Sequence, residues 1–580
     1  MKKIFFLLCC ICLIGAAVYL IQHPAPPDVE PDYSADYLPE DTLFLLELTD
    51  LQGMTERFPA SALGRLFSKP VMYDILRELG GTDEDVQQYD NLYDGLADVL
   101  TNPAVREIFG DDAVIALHAP DPAQLRQNPI RALQDSLLVF GTSSTAGPIG
   151  RVARVIMSND VIKTSISGLD MTRIRLDENE LLYGYTKKGI LLLAYDPKKI
   201  VAAVHRKEDE NGKDLRQAVP FAATAEFRAE AGQGHVYART YLNTTELKTL
   251  LRASGNQELS REQKEANASL EGVTAISGVL AATQGELRLR AQAEYDTSSL
   301  PETAKDSHKA LPEKNFSLSL LNEKTLLYSW FSALNNEAVR RLLFKADAEQ
   351  KYAEFQETVQ KELGLSLDRL IKAAGPQAGI AVHEIINAGI VPLPKTVLFF
   401  QIRDRTAVLQ EMKKLRKKIT EQGFAKEQKE EIQGHTLYYW TVMPIEATHL
   451  AIGLTDTMLY IANGETGLRA LLTSQQEPTA LDKTAATAFG ETAGQCIAGA
   501  NQFTFLLRPQ LLAEQGGTAA DWLADMTLSD SNISIKKTLE AVLQLMRSVD
   551  LVAVCSDREE DHASFTAVLQ NAAELGQKAQ

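Results

Sequence analysis

Two histidines are the residues whose type and setting best suit chemistry. His118 ends the apolar segment DAVIALH, and His383 ends the corresponding segment QAGIAVH. An acid follows each of them closely, Asp121 in the first case and Glu384 in the second. A histidine beside a carboxylate at the end of a strand can bind a metal or transfer a proton. The same setting suits a structural histidine that hydrogen-bonds to the backbone, and we favour that interpretation.

The number of neighbouring ligands argues against a metal at either histidine. A structural zinc usually has four protein ligands and a catalytic zinc three. No second His or Cys lies near His118 or His383 in the sequence. We therefore predict no metal and no cofactor, and we keep the two histidines as speculative ligand-binding residues.

Recognisable catalytic motifs are largely missing. The chain has no GxxxxGK[ST] loop, no GxSxG elbow and no HExxH pair. Ser534 and Lys537 form an SxxK tetrad, but its usual partner, KT[GS], occurs upstream at Lys163 to Ser165, which is the wrong order. We interpret Ser534 as a helix N-cap. A non-enzymatic role is favoured, and an envelope hydrolase with an unrecognised site is the alternative.

Charge and aromatic residues narrow the choice of partner. The 580 residues include 59 Lys and Arg against 77 Asp and Glu, a formal charge of −18, which disfavours nucleic acid. The basic run from Lys413 to Lys418 predicts the solvated face of a helix, with anionic lipid contact as the alternative. Tyr438 to Trp440, and Tyr183 with Tyr185, predict sheet core, and the alternative is the wall of an apolar ligand groove.

The N-terminus predicts export. Lys2 and Lys3 precede an apolar run from Ile4 to Ile21, which as a helix spans roughly 27 Å, enough to cross a membrane once. The positive-inside rule then keeps the lysines in the cytoplasm and places the body in the periplasm, tethered to the inner membrane. Cleavage after Ala17, with secretion to the periplasm, is the alternative.

Two further features depend on this location. Residues 22–37 contain four prolines and predict an extended stalk. Cys496 and Cys555 are the only cysteines outside the leader. In an oxidising compartment they can form a disulfide, or they can remain two buried thiols.

The chain also resembles itself. Five segments of the first half match five segments of the second half in the same order, which predicts an internal duplication. The matched pairs are Leu38–Leu45 with Leu321–Tyr328, Gly110–His118 with Gly375–His383, Gly168 with Gly434, Ile190–Ala194 with Met458–Ala462, and Tyr241–Leu242 with Phe505–Leu506.

The elements needed to position these residues indicate an α+β fold. Strands and helices do not alternate regularly enough for a parallel doubly wound sheet. We predict two homologous halves, each a mainly antiparallel sheet with packed helices. The predicted organisation is an anchor or signal peptide at 1–21, a stalk at 22–37, repeats at 38–296 and 315–572, a linker at 297–314 and a tail at 573–580.

Short motifs in the first half resemble a known group of bacterial proteins. Leu38 to Thr42, Ala62 to Phe67 and Phe109 to Ala113 are similar to segments of the envelope proteins grouped as domain of unknown function 3352. The second half departs from the pattern, with Asn322 in place of the proline. The resemblance implies an anchored envelope protein and brings no catalytic residues. We therefore predict a binding or scaffolding module whose partner is an envelope protein or an apolar ligand.

Overall fold

A computed structural model shows the fold of most of the chain. It describes residues 33–49, 67–78, 81–101, 112–142, 161–177, 180–187, 190–209, 213–254, 270–283, 286–300, 315–332, 334, 349–388, 391–421, 426–441, 445–473, 489–515, 540, 542–544 and 546–571. These residues form two compact units: unit 1 comprises residues 1–310 and 559–565, and unit 2 comprises residues 311–558 and 566–580.

The described part of unit 1 contains an antiparallel sheet. Its strands follow the order β4-β5-β6-β7-β3-β2-β1-β8-β9-β10. The strands are β1 (Thr42–Thr49), β2 (Asp112–His118), β3 (Leu137–Thr142), β4 (Val161–Ile166), β5 (Leu169–Asp177), β6 (Glu180–Lys187), β7 (Ile190–Ala194), β8 (His235–Asn243), β9 (Val273–Thr283) and β10 (Glu286–Tyr295).

Between its strands, the described part of unit 1 has helices. They are α1 (Lys69–Glu78), α2 (Asp83–Thr101), α3 (Pro122–Gln127), α4 (Pro129–Ser136), α5 (Pro197–Glu208), α6 (Val219–Ala223), α7 (Ala225–Ala231) and α8 (Thr244–Ser254). Helix α5 begins where the Asp196 side chain accepts a hydrogen bond from the Lys198 amide, and Pro197 suits the first turn. Its apolar residues at helical spacing, Ile200 and Val204, are buried against the sheet.

The remaining strands pair in the order β14-β15-β16-β17-β13-β12-β11-β18-β19-β20. They belong to unit 2 apart from residues 562–565 of β20, which belong to unit 1. The strands are β11 (Leu327–Phe331), β12 (Ala374–Ala388), β13 (Val391–Ile402), β14 (Lys426–Ile432), β15 (His435–Thr441), β16 (Leu450–Leu454), β17 (Met458–Asn463), β18 (Phe503–Leu507), β19 (Val549–Arg558) and β20 (His562–Asn571). The helices of unit 2 are α9 (Glu349–Leu363), α10 (Leu367–Ala373), α11 (Arg405–Glu421), α12 (Glu465–Thr473) and α13 (Glu491–Gly499).

The predicted α+β class with mainly antiparallel strands is confirmed. The two units also share one strand order, because adding ten to each strand number of unit 1 gives the order of unit 2. Register agrees as well: Leu138 pairs with Ala194 in unit 1, and Val397 pairs with Ala462 in unit 2. Ala194 and Ala462 are positions that the sequence comparison aligned.

One of the five aligned segments is displaced by one residue. Tyr241 pairs with Leu45 in unit 1. At the corresponding position of unit 2, Tyr328 pairs with Leu506 rather than with Phe505. The sequence comparison aligned Tyr241 with Phe505, so register places that match one residue further along. Both positions are apolar, which is why similarity alone did not fix the register.

Two hairpin turns explain the match between Gly168 and Gly434. Ser167 and Gly168 have φ of 51° and 82°, and Gln433 and Gly434 have φ of 50° and 83°. Positive φ at both central residues is the geometry of a type I′ turn, which fits the twist of two-residue hairpins and favours glycine at the second position. The turns join β4 to β5 and β14 to β15.

The last residues of the predicted stalk are folded rather than extended. Tyr33–Tyr37 form a 3-10 helix, within which Ala35 is fully buried. Apolar contacts with the core outweigh the polyproline preference in this short segment. The predicted anchor at 1–21 lies outside the described residues, as do residues 22–32, most of the linker and the tail. Among the described helices, none has both the length and the apolar character needed to span a membrane.

Candidate functional site

A cavity of about 210 Å³ lies in unit 1 between the 3-10 helix, the strands β6 and β7 and the helix α5. Its lining combines apolar and aromatic groups with charged groups. The lining residues are Tyr37, Tyr185, Lys187, Ile190, Leu192, Val204, Lys207 and Glu208. This mixture of apolar surface and a few polar groups is characteristic of small-ligand sites.

The floor of the cavity comes from a cross-strand pair and one helix residue. Tyr185 on β6 lies opposite Leu192 on β7. Val204 on α5 covers this pair, and all three side chains are largely buried. The tyrosine pair Tyr183 and Tyr185 was noted in the sequence as a possible ligand wall. Tyr185 lines the cavity, whereas Tyr183 packs against the core of unit 1.

One wall comes from the last residues of the predicted stalk, which form the 3-10 helix Tyr33–Tyr37. The Tyr37 ring meets the Phe140 ring edge-on, with centroids 5.6 Å apart. Arg206 on α5 donates a hydrogen bond to the Tyr37 carbonyl oxygen at 3.0 Å. The Lys207 ammonium lies 5.5 Å from the centre of the Tyr37 ring. The wall is therefore fixed to α5 by two contacts and to β3 by a third.

The rim of the cavity carries paired charges. The Lys187 ammonium lies 2.7 Å from a Glu208 oxygen, and this hydrogen bond raises the pKa of Lys187 and lowers that of Glu208. Lys207 pairs with Asp36. Burial raises the pKa of the Tyr37 phenol, and the charges of Lys207 and Lys187 oppose that rise. Both ammonium groups therefore act on the same phenol at the mouth of the cavity.

The corresponding positions of unit 2 are filled differently. There Gly453 on β16 lies opposite Tyr460 on β17, where unit 1 has Tyr185 opposite Leu192. A Cβ added to Gly453 would lie 3.5 Å from both Leu468 and Leu472 of α12. These two leucines are fully buried. Leu468 and Leu472 of α12 thus lie over Gly453, where unit 1 has the Tyr185 side chain.

The strand-end histidine of unit 1 is buried and neutral. His118 has 5% of its surface exposed, and it pairs with Thr42 in the β1–β2 register. Burial, aided by Lys199 and Arg206, lowers its pKa to about 3. Its Nε2 atom has no hydrogen-bond partner among the described residues. The predicted acid, Asp121, accepts a hydrogen bond from the Ala123 amide at the start of α3 instead.

The second histidine has a different strand context from the one predicted. His383 lies inside β12 rather than at its end, because the β12–β13 hairpin continues beyond it to Ala388. The register shifts between Val382 and Ile385, so His383 lies at a bulge. Its Nδ1 atom lies 3.3 Å from the Thr325 hydroxyl, and burial lowers its pKa. Glu384 forms an ion pair with Lys395 at 2.7 Å.

Neither histidine lines the cavity, and neither belongs to a cluster of potential metal ligands in the described part of the chain. One such cluster does occur there, formed by Glu559, Asp561 and His562 at the turn between β19 and β20. Sequence reasoning did not single it out. The His562 Nδ1 atom lies 2.8 Å from an Asp561 carboxylate oxygen, so these two residues are held together by their own contact.

The basic run is paired with acids. Arg416 forms two hydrogen bonds with Glu427, at 2.6 and 3.0 Å. Lys414 lies 2.6 Å from the buried Glu411. These pairs fit the predicted helix face, since α11 runs from Arg405 to Glu421. Ser534 of the SxxK tetrad lies outside the described residues.

The two cysteines form a disulfide. Cys496 in α13 is bonded to Cys555 in β19, with Cα atoms 5.7 Å apart. The structure thereby decides between the two alternatives that the sequence left open. Val279 of β9 takes the place of Cys555 in unit 1, where it packs against Phe227 and Ala231 of α7. An apolar contact in one unit thus corresponds to a covalent bond in the other.

Comparison with known proteins gives only distant likenesses. No family model matches the chain, and neither does any curated protein. Crystal form IV of TP0453 is similar at 12% identity and a TM-score of 0.22, over 46% of this chain and 81% of that chain. Crystal form III of TP0453 gives 11% identity and a TM-score of 0.23, over 50% and 88%. At this level the likeness assigns no function.

Proposed function

We propose that the protein is an exported envelope protein, anchored by its N-terminal segment in the inner membrane, whose unit 1 binds a small apolar ligand. The cavity between β6, β7 and α5 carries the proposal. Its floor is apolar and its mouth is charged, which allows an apolar group to enter while polar groups stay in water. Secretion after cleavage of the leader remains the alternative for its location.

Three observations support the location. The apolar run from Ile4 to Ile21 follows two lysines. The Cys496–Cys555 disulfide is typical of oxidising compartments. The short motifs that resemble the domain of unknown function 3352 group also fit an envelope protein.

We further propose that the units arose by duplication and then diverged. The shared strand order, the two glycine turns and the agreement of register support this origin. Unit 1 then binds the ligand through its cavity, while the disulfide gives unit 2 a structural role. This division of roles agrees with a non-enzymatic binding module.

The proposal is tested by measuring whether a neutral apolar probe binds in the cavity. Full-length protein with isotope-labelled Leu and Val methyl groups is titrated with naphthalene, and the Val204 methyl resonances are recorded by NMR. We expect a saturable shift. Leu192→Phe, which fills the floor, should abolish it, and Leu192→Met, which conserves volume, should keep it. A wild-type protein with unshifted Val204 methyls, or a Phe variant that still saturates, would refute the proposal.

A further inference from the structure

The charged mouth of the cavity indicates which apolar ligand would be preferred. Resting on the proposed function, we infer that the ligand is a single-chain amphiphile with a carboxylate head. Its chain lies on Tyr185, Leu192 and Val204, and its head lies between the ammonium groups of Lys187 and Lys207.

The size of the cavity limits the length of the chain. A methylene group fills about as much space as a water molecule, roughly 30 Å³. A cavity of about 210 Å³ therefore holds a chain of about seven carbons. Full burial of each methylene tightens binding about fourfold, so a chain of this length supplies most of the affinity. Longer chains would have to leave through the mouth.

The two lysines converge at the mouth. Lys207 lies over the Tyr37 ring, and Lys187 also acts electrostatically on the Tyr37 phenol. Both side chains are about half exposed, 53% for Lys187 and 44% for Lys207, so their ammonium groups can reach a ligand. If the chain of an amphiphile lies on the floor, its head lies at the mouth, beside the two ammonium groups.

The acids already present do not block such a head group. Each ammonium carries three N–H donors, and Glu208 and Asp36 use only part of them. Asp36 is also paired with Arg216, at 2.7 Å, so Lys207 is not its only counter-ion. A carboxylate can therefore add to both lysines without displacing either existing pair. Two ammonium groups and one carboxylate line the cavity, which disfavours a cationic head.

Head-group preference is the property to measure. Octanoate, octanol and octylammonium share one chain and differ only in charge. Each is titrated into the full-length labelled protein at free concentrations set by dialysis, with the Val204 methyl resonances as the readout. We expect octanoate to bind at least tenfold more tightly than the other two, and added salt to narrow the difference.

Variants of the lysines separate the head from the chain. Lys187→Met and Lys207→Met should each weaken octanoate binding about three- to tenfold, a larger factor than any change in naphthalene or octanol binding. Lys198→Met is the matched control, because Lys198 is an exposed lysine of α5 that does not line the cavity. It should change nothing.

The outcomes distinguish the two proposals. Absence of naphthalene binding would refute the proposed function itself. Naphthalene binding with equal affinities for octanoate and octanol, or octanoate binding that survives the Lys187→Met/Lys207→Met double variant, would overturn the carboxylate inference alone. Tighter binding of octylammonium would show that Glu208 and Asp36 select the head group, and this result would also overturn the carboxylate inference.

Discussion

At the scale of single residues, burial decides the behaviour of His118. Its pKa is about 3 in the folded protein and 6.5 in a free side chain. The unfolded chain therefore takes up a proton as the pH falls below 6.5, and the folded protein does not. The contribution of His118 to stability is fully present above pH 6.5 and is lost as the pH falls towards 3. The slope reaches about 1.4 kcal/mol per pH unit.

The first prediction concerns a variant in which the titrating side chain of His118 is removed. His118→Gln should lose stability at neutral pH but should show a smaller drop in thermal midpoint between pH 7.5 and pH 4.5 than the wild type. His205→Gln is the control, since His205 is an exposed residue of α5. Thermal unfolding followed by circular dichroism at both pH values checks this. An unchanged acid dependence in the His118 variant would show that this histidine is not the buried neutral group described above.

At the scale of elements, the two units stabilise equivalent positions differently, by a disulfide in unit 2 and by apolar packing in unit 1. The Cys496–Cys555 bond closes a loop with a sequence separation of 59 residues. Restricting the unfolded chain over a loop of this length contributes about 4 kcal/mol in the chain-entropy account. Unit 1 relies instead on Val279 packed against Phe227 and Ala231.

The second prediction concerns this bond. The double variant Cys496→Ala/Cys555→Ala should lower the free energy of unfolding of unit 2 by about 4 kcal/mol, measured by urea denaturation. A reducing agent should lower wild-type stability by a similar amount and leave the double variant unchanged. If reduction leaves wild-type stability intact, the disulfide is not a stabilising bond.

The third prediction concerns the hairpin glycine of unit 2. Gly434 has a φ of +83°, and nothing lies within 4 Å of an added Cβ. Gly434→Ala should therefore destabilise through backbone conformation alone, by about 1–2 kcal/mol. Gly467 lies in α12, has equally open space around it and lacks positive φ. Gly467→Ala should stabilise by about 0.5–1 kcal/mol. Urea unfolding of both variants checks the opposite signs, and equal signs would contradict the turn geometry.

At the scale of the whole molecule, the N-terminal run and the disulfide support the same side of the membrane. The fourth prediction tests this location. A reporter enzyme that is active only outside the cytoplasm, fused after Gln580, should be active. The matched control replaces Leu7, Leu8 and Leu13 of the apolar run by Asp, which should leave the fusion stable in the cytoplasm and inactive. An inactive, stably expressed wild-type fusion would contradict export.

The sequence by itself determined the class of the fold and much of its local structure. The apolar segment DAVIALH predicted a strand that ends at His118, and β2 has these bounds. Helical spacing predicted α11 within a few residues of its observed bounds. Gly168 and Gly434 matched between the halves in the sequence, and the structure places both in two-residue turns, where glycine accepts the required φ readily. These features depend on residues close together in the chain.

The cavity was decided only by the tertiary structure. Tyr37 and Lys207 are 170 positions apart in the chain, and no spacing rule brings them together. Tyr185 carried a partial signal as one of two nearby tyrosines, but its face depended on the register with Leu192. Register also separated Tyr241 from its aligned partner and placed His383 inside a strand. The disulfide likewise required the spatial approach of α13 and β19, which the sequence left open. Contacts between distant segments follow from packing of the whole unit, and packing is not encoded in any local pattern.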